Sequence, residues 1–229
     1  MNNNTPAAFT AIFDMDGTII DNTSYHYKAW QELFKKHQLP HLTKQTYLNQ
    51  ISGVPIINTV RQFFGKNADE QFSQQLAEEK QALYRKGYGP HVKPIEGLEN
   101  FLAGLKAAGI KIALATSSGK EDIDFIFNSV AIGKYFDTLV TGNMVTEPKP
   151  SPQIFLKAAS LLNAEPAKCL VFEDSIAGLN AGKNAGMKVA GITTSHSAAE
   201  IAGLANIVFN NYTELDISRL NTLFEDTIK

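Results

Sequence analysis

Cysteine is almost absent: Cys169 is the only one in 229 residues. No intrachain disulfide can form, and a zinc cage built on cysteines is excluded. Charge of one sign is missing too. The 21 Lys and Arg nearly balance 23 Asp and Glu, for a formal net charge of −2. A general nucleic-acid binder needs a basic face, so no nucleic-acid partner is expected. No stretch approaches the roughly 20 apolar residues of a membrane-spanning helix, so no membrane partner is expected either. The opening MNNNTPAAF has neither a basic start nor an apolar run and does not read as a signal peptide. A cytoplasmic monomer is the expectation, with the Asn2–Asn4 run frayed. No internal repeat, low-complexity tract or Walker-type glycine–lysine loop is found.

Apolar residues are plentiful. Hydrophobic residues make up 44% and charged residues 19%, the reverse of a disordered chain. The length suits one large domain, or a domain carrying a smaller inserted one.

Residues 9–13 (FTAIF) form a short apolar run that ends at Asp14-Met15-Asp16-Gly17. The pattern predicts a buried strand entering a turn. Further strands are expected at Lys111–Ala115, Thr138–Val140, Leu170–Phe172, Val189–Ile192 and Ile207–Phe209. Helical spacings lie between them. Leu98, Phe101, Leu102 and Leu105 are spaced for one helix face, with Gly109 as a stop, and Ile123, Ile126, Phe127 and Val130 repeat the spacing. The segments 154–162 and 176–185 complete the alternation. Continuous apolar strands alternating with helices predict a parallel sheet covered on both faces. Gly178, Gly182 and Gly186 fall in the last of these helical patterns, where close helix-to-sheet packing is the expected role.

Residues 22–91 break the alternation. They contain no convincing strand, and amphipathic helices are expected over 25–36, 43–50, 56–64 and 70–85. Gly87-Tyr88-Gly89-Pro90 and Lys93-Pro94 punctuate the return. The expected organisation is a parallel α/β core, residues 1–21 and 92–229, with an all-helical cap, residues 22–91, inserted after the first strand.

In an open parallel sheet, ligands bind beyond the carboxyl ends of the strands. Those ends carry Asp14, Asp16, Gly17 and Thr18, then Thr116, Ser117, Ser118 and Gly119, then Glu147 to Pro150 with Lys149, then Glu173, Asp174 and Ser175. Converging carboxylates repel one another and do not all ionise cheaply. A hard divalent cation removes the conflict, and Mg²⁺ takes oxygen ligands completed by water and substrate phosphate. The lysine and hydroxyls suit a phosphoryl group, whose transfer depends on placement and charge. A carboxylate can itself be the nucleophile. Mg²⁺-dependent phosphoryl chemistry on a small phosphate ester is the expectation.

In order, Asp14-Met15-Asp16-Gly17-Thr18, Thr116-Ser117, Lys149-Pro150-Ser151-Pro152 and Glu173-Asp174-Ser175 resemble the four motifs of the haloacid dehalogenase superfamily. Nearly the whole chain is covered. The segment Asp21–Trp30 resembles the start of the helical cap in its β-phosphoglucomutase-like branch, which includes sugar-phosphate phosphatases. The resemblance implies a Rossmann-like core and a set of roles. Asp14 is the nucleophile and a metal ligand. Asp16 is the general acid and base, with its backbone carbonyl on the metal. Thr116 and the Ser117 backbone hold the phosphoryl group, and Lys149 pairs with Asp14 and phosphoryl oxygens. Glu173 and Asp174 serve Mg²⁺.

In the cap, Tyr27, Trp30 and Phe34 form a stripe that reads as cap core rather than a sugar platform. The mutase pattern nominates His26 and Lys80 for substrate binding. Lys80 interrupts the apolar stripe of Phe72, Leu76, Leu83 and Tyr84, so it either snorkels or faces the closed site. One departure weighs on the reaction. Pro55 and Ile56 occupy the stretch after Ser52-Gly53-Val54 where the mutase cap carries an arginine for a second phosphate. Arg61 lies further along the helix, and Lys120 is a possible partial substitute. A phosphatase acting on a sugar phosphate is therefore expected ahead of a β-phosphoglucomutase. A non-catalytic phosphate-binding protein ranks below both, and a dehalogenase, which has no use for the Mg²⁺ carboxylates, ranks last.

Overall fold

The computed structural model describes residues 9–65 and 69–225. The Asn2–Asn4 run lies outside them. Among the described residues six strands form one parallel sheet: β1 (Thr10–Phe13), β2 (Ile112–Ala115), β3 (Thr138–Val140), β4 (Cys169–Glu173), β5 (Lys188–Ile192) and β6 (Ile207–Phe209). The spatial order is β3-β2-β1-β4-β5-β6, every pair parallel. Strand order reverses between β1 and β4, and that crevice is where such sheets bind ligands.

The central strands are mostly apolar because both faces are covered. β2 and β4 are buried at every position. Side chains alternate across the sheet. Ala11 and Phe13 enter one core cluster with Phe101, Phe172 and Tyr212; Ile12 enters another with Val171, Phe155 and Ala181. Phe13 stacks on Phe172 with centroids 4.3 Å apart. This aromatic pair fixes the ends of β1 and β4, from which Asp14 and Glu173 leave.

Four helices lie between β1 and β2 ahead of the next core helix: α1 (Thr23–Lys36), α2 (Lys44–Gln50), α3 (Ile56–Phe64) and α4 (Glu70–Tyr88). They share their own apolar cluster, with Trp30, Leu33, Phe34, Tyr47, Val60 and Leu76 buried together. The Trp30 and Phe34 stripe is thus packing for this insert. α5 (Leu98–Ala107), α6 (Lys120–Ser129), α7 (Gln153–Leu161), α8 (Ile176–Asn184), α9 (Ala198–Ile201) and α10 (Ile217–Asn221) complete the chain.

Two local expectations need correction. α4 continues through Gly87 to Tyr88, so the break falls at the short turn Gly89–His91. Tyr84 and Tyr88 are buried on its inner face, and that packing carries the helix past the glycine. Gly186 is not inside α8. It lies beyond the helix end with φ +72°, a left-handed stop. Gly182 does meet the sheet: a Cβ there would lie 2.9 Å from Val189 Cγ2.

Candidate active site

The residues given roles at the strand ends and in the cap line one cleft of about 260 Å³ between the sheet edge and the helical insert. Asp14, Asp16, Thr116, Ser117, Lys149, Glu173, Asp174, His26 and Lys80 all border it. Lys120 does not. It pairs with Asp124 on the exposed face of α6, because the helix turns it outward. Arg61 is exposed and also outside the lining.

Asp14 leaves β1 and is buried. Lys149 Nζ donates to Asp14 Oδ1 at 2.6 Å and to Glu173 Oε1 at 2.7 Å. The other Glu173 oxygen accepts from the Asp174 and Ser175 backbone N–H groups, at 2.8 and 2.7 Å, and from Ser175 Oγ. Glu173 therefore ties Lys149 to the turn that aims Asp174. Gly178 is required here, since any Cβ would collide with the Glu173 carboxylate. Gly17, at φ +81°, leaves the space that the Asp174 carboxylate fills.

Asp14, Glu173 and Asp174 each offer an oxygen within 4.8 Å of the others. Burial pushes the Asp14 carboxyl up to about 8, against the pull of Lys149, and Glu173 and Asp16 push the same way. Burial and the neighbouring Glu173 and Asp14 likewise raise Asp174 well above the carboxylate range. Burial works against the Lys149 charge, yet Asp14 and Glu173 hold it firmly protonated. One ammonium among three buried carboxylates leaves the cluster short of positive charge. The donors are all hard oxygens, so the group fits a Mg²⁺-type cation.

Asp16 points the other way. Its Oδ1 accepts from Asn22 Nδ2 at 2.6 Å and lies 3.3 Å from His26 Nε2; its Oδ2 accepts from Ser118 Oγ at 2.7 Å. Burial alone would raise this carboxyl, but His26, Asn22 and Ser118 outweigh it and hold it below the usual range. Lys80 Nζ meets His26 Nδ1 at 2.6 Å. An ammonium only donates, so Nδ1 accepts and Nε2 carries the proton toward Asp16. Burial, with the Lys80 charge beside it, lowers His26 to about 4, so the ring is neutral and helps Asp16 by its hydrogen bond rather than by charge. Lys80 is itself buried, not snorkelling, and burial lowers it to about 8. Its Nζ lies 5.7 Å from the Trp30 ring centroid and 5.2 Å from that of Tyr84.

Thr116 is buried at the end of β2 and its Oγ1 accepts from Ser118 N at 3.0 Å. That turn brings Ser117 to the cleft and Ser118 onto Asp16. Several side chains at the site carried no sequence signal of their own. Asn22 is fully buried, donates to Asp16 and Tyr84, and accepts from Gly17 N. Asp122 at the start of α6 accepts from Gln81 and Arg85 of α4, which ties insert to core. Ser195, after β5, donates to Asp174 Oδ2, and Thr194 Oγ1 donates to the Gly17 carbonyl.

A parallel sheet with this carboxylate–lysine cluster at its switch point, roofed by a helical insert, defines a class of hydrolase. Residues 11–192 match the haloacid dehalogenase-like hydrolase family, and the chain belongs to it. It is 30% identical over 209 residues to a validoxylamine A 7'-phosphate phosphatase of Streptomyces hygroscopicus subsp. limoneus, covering 90% of this chain and 94% of that one. It is 31% identical over 182 residues to a phosphorylated carbohydrates phosphatase of Thermotoga maritima, covering 77% and 81%. A crystal structure of β-phosphoglucomutase from Clostridium difficile superimposes with a TM-score of 0.84 at 28% identity, covering 96% of this chain and 98% of that one.

Proposed function

We propose that this hydrolase is a Mg²⁺-dependent phosphatase of a small phosphorylated metabolite, a sugar phosphate or close relative, working through an aspartyl-phosphate. The observation that carries the reading is the opposed pair Asp14 and Asp16 at the end of β1. Asp14 sits among carboxylates and Lys149; Asp16 sits among neutral donors. Environments that drive two acids apart mark separate roles.

Lys149 holds Asp14 Oδ1, leaving Oδ2 the freer oxygen to attack phosphorus. A carboxylate O–P bond forms and the ester P–O bond breaks. The leaving oxygen takes a proton from Asp16. Asp16 is ionised in the free site; the dianionic phosphate beside it raises its proton affinity, so it takes up a proton from water as the substrate binds and gives that proton to the leaving oxygen. Water then attacks phosphorus, gives its proton to Asp16, and releases orthophosphate with Asp14 free again. Thr116, the Ser117 backbone and Lys149 position the phosphoryl oxygens. Asp14, Asp174, Glu173 and the Asp16 carbonyl would hold the cation, which supplies charge neutralisation and polarisation of the phosphoryl group.

His26 and Lys80 are proposed to meet the substrate from the insert, with His26 also orienting Asp16. Hydrolysis is favoured over mutase action by the cleft's cations. Among the described side chains that line it, the lysines are Lys149, bonded to Asp14 and Glu173, and Lys80, bonded to His26 and Gln81. Val54, Pro55, Ile56 and Ile57 line the roof, so a second phosphate meets apolar side chains there. The likeness to a β-phosphoglucomutase keeps that reading as the alternative.

A paired assay with Mg²⁺ decides. β-Glucose 1-phosphate is supplied with and without a bisphosphate primer, beside a panel of other esters, and both inorganic phosphate and glucose 6-phosphate are followed. Phosphate release from members of the panel without glucose 6-phosphate supports the phosphatase. Primer-dependent glucose 6-phosphate with little free phosphate overturns it in favour of the mutase.

A further inference from the structure

The loop after β5 belongs to none of the four motifs, yet it touches the site twice. Thr194 Oγ1 donates to the Gly17 carbonyl, and Ser195 Oγ donates to Asp174 Oδ2. Ser195 has a second partner. Its Oγ lies 3.0 Å from Thr23 Oγ1, the first residue of α1 and so the point where the helical insert begins. With a cation bound, Asp174 is ionised and can only accept, so the Ser195 proton goes to it. The Ser195 oxygen is then left to accept from the Thr23 hydroxyl. The result is a directed chain, Thr23 to Ser195 to Asp174, ending in a charge-assisted bond. Such chains polarise along their length.

Other ties between insert and core end elsewhere, and Asn22 and His26 meet Asp16. Gln81 and Arg85 reach Asp122. Gly53 comes against Ser175, to which a Cβ would lie 3.0 Å from Oγ. Among the described residues, only the Thr23 chain runs through side-chain hydrogen bonds from the insert to a carboxylate of the Asp14–Glu173–Asp174 group.

We propose that Ser195 is a positioning residue that links the placement of the insert to cation binding at Asp174, with Thr23 as its sensor in the insert. This rests on the metal site proposed above. Partners that orient a ligating carboxylate commonly change metal affinity 10- to 100-fold when removed. Linkage is reciprocal: if a properly seated Thr23 favours the cation, a bound cation favours the seated insert.

The test titrates Mg²⁺ into the full chain and follows Trp30 fluorescence, with calorimetry beside it. Trp30 is the only tryptophan and lines the cleft from the insert. Ser195→Ala is expected to raise the half-saturating Mg²⁺ about 10-fold. Thr23→Val is expected to raise it about 3-fold, the worth of one modest hydrogen bond. Ser195→Thr and Thr23→Ser keep the hydroxyls and are expected to stay near wild type, which separates the linkage from misfolding. Because Thr23 acts through Ser195, the double variant Thr23→Val/Ser195→Ala is expected to be no worse than Ser195→Ala alone. A wild type that responds to Mg²⁺ while Thr23→Val responds identically overturns the linkage alone. Additive effects of the two substitutions overturn it as well. A wild type that shows no Mg²⁺ binding by either method overturns both the linkage and the metal site on which it rests.

Discussion

Asp14 and Asp16 are two residues apart and face opposite regions of the molecule. Asp14 looks into the α/β core, where Lys149, Glu173 and Asp174 crowd it and burial pushes its carboxyl up to about 8. Asp16 looks toward the insert, where Asn22 and His26 donate to it, and with Ser118 of the core they hold it below the usual range. The core side is a carboxylate cluster in which Lys149 is, among the described residues, the one positive charge. The insert side is a network of largely neutral donors, closed off by Lys80. The difference teaches that one turn of chain can hold two carboxyls in separate electrostatic environments, the division that the proposed nucleophile and proton carrier would need.

Removing either side should break the comparison in its own way. Asp14→Asn keeps the shape but not the nucleophile, and turnover is expected to fall on the order of 10⁴-fold or more with the circular dichroism spectrum unchanged. Near-normal turnover would remove Asp14 from the role. Asp16→Ala is expected to lose about 10²–10⁴-fold on alkyl phosphates. The loss should be smaller on an aryl phosphate, whose leaving group needs little protonation, and equal losses on both would contradict the acid role.

Lys149→Met probes the core compartment by stability. It strands Asp14 and Glu173 as buried neighbours without their ammonium, at a cost of about 3–5 kcal/mol in chemical denaturation without metal. Added Mg²⁺ should restore part of the loss, and a variant as stable as wild type would mean that the cluster is not ionised. The smallest effect is expected on the insert side. Lys80 is charged below about 8 and loses its proton as the pH rises through that value. His26 then loses the donor that fixes its tautomer, so kcat/KM should decline above about 8. Lys80→Arg keeps the charge and should remove that limb from the pH profile; an unchanged limb would assign it to another group.

Much of the core was legible because its signals are local. Each strand was readable as an apolar run, and β4 differs from its expected span only by reaching back to Cys169 and on to Glu173. The strand-end residues were readable because parallel sheets put chemistry there. Lys80 stood out as a break in an apolar stripe, although its contacts with His26 and Gln81 did not. The rest depends on tertiary neighbours. Asn22 reads as an ordinary start for α1, yet its side chain caps nothing and is spent on Asp16, Gly17 and Tyr84. Asp122 reads as a helix-dipole partner in the first turn of α6, and nothing local announces Gln81 and Arg85. Ser195 lies 172 positions from Thr23, and a serine in a loop has no periodicity to betray it. Lys120 failed as a substitute clamp because its helical phase, not its closeness to Thr116 in sequence, decides where it points.

The most direct test of the divided turn is to trap what Asp14 becomes when Asp16 cannot act. Asp16→Ala is mixed with an aryl phosphate and Mg²⁺, quenched in acid, and its peptides are analysed by mass spectrometry. A phosphoryl group on Asp14 that builds up and decays slowly is the expected result, since the attack proceeds and the water step is impaired. A phosphoryl group on another residue, or steady phosphate release with Asp14 unmodified, would contradict the account.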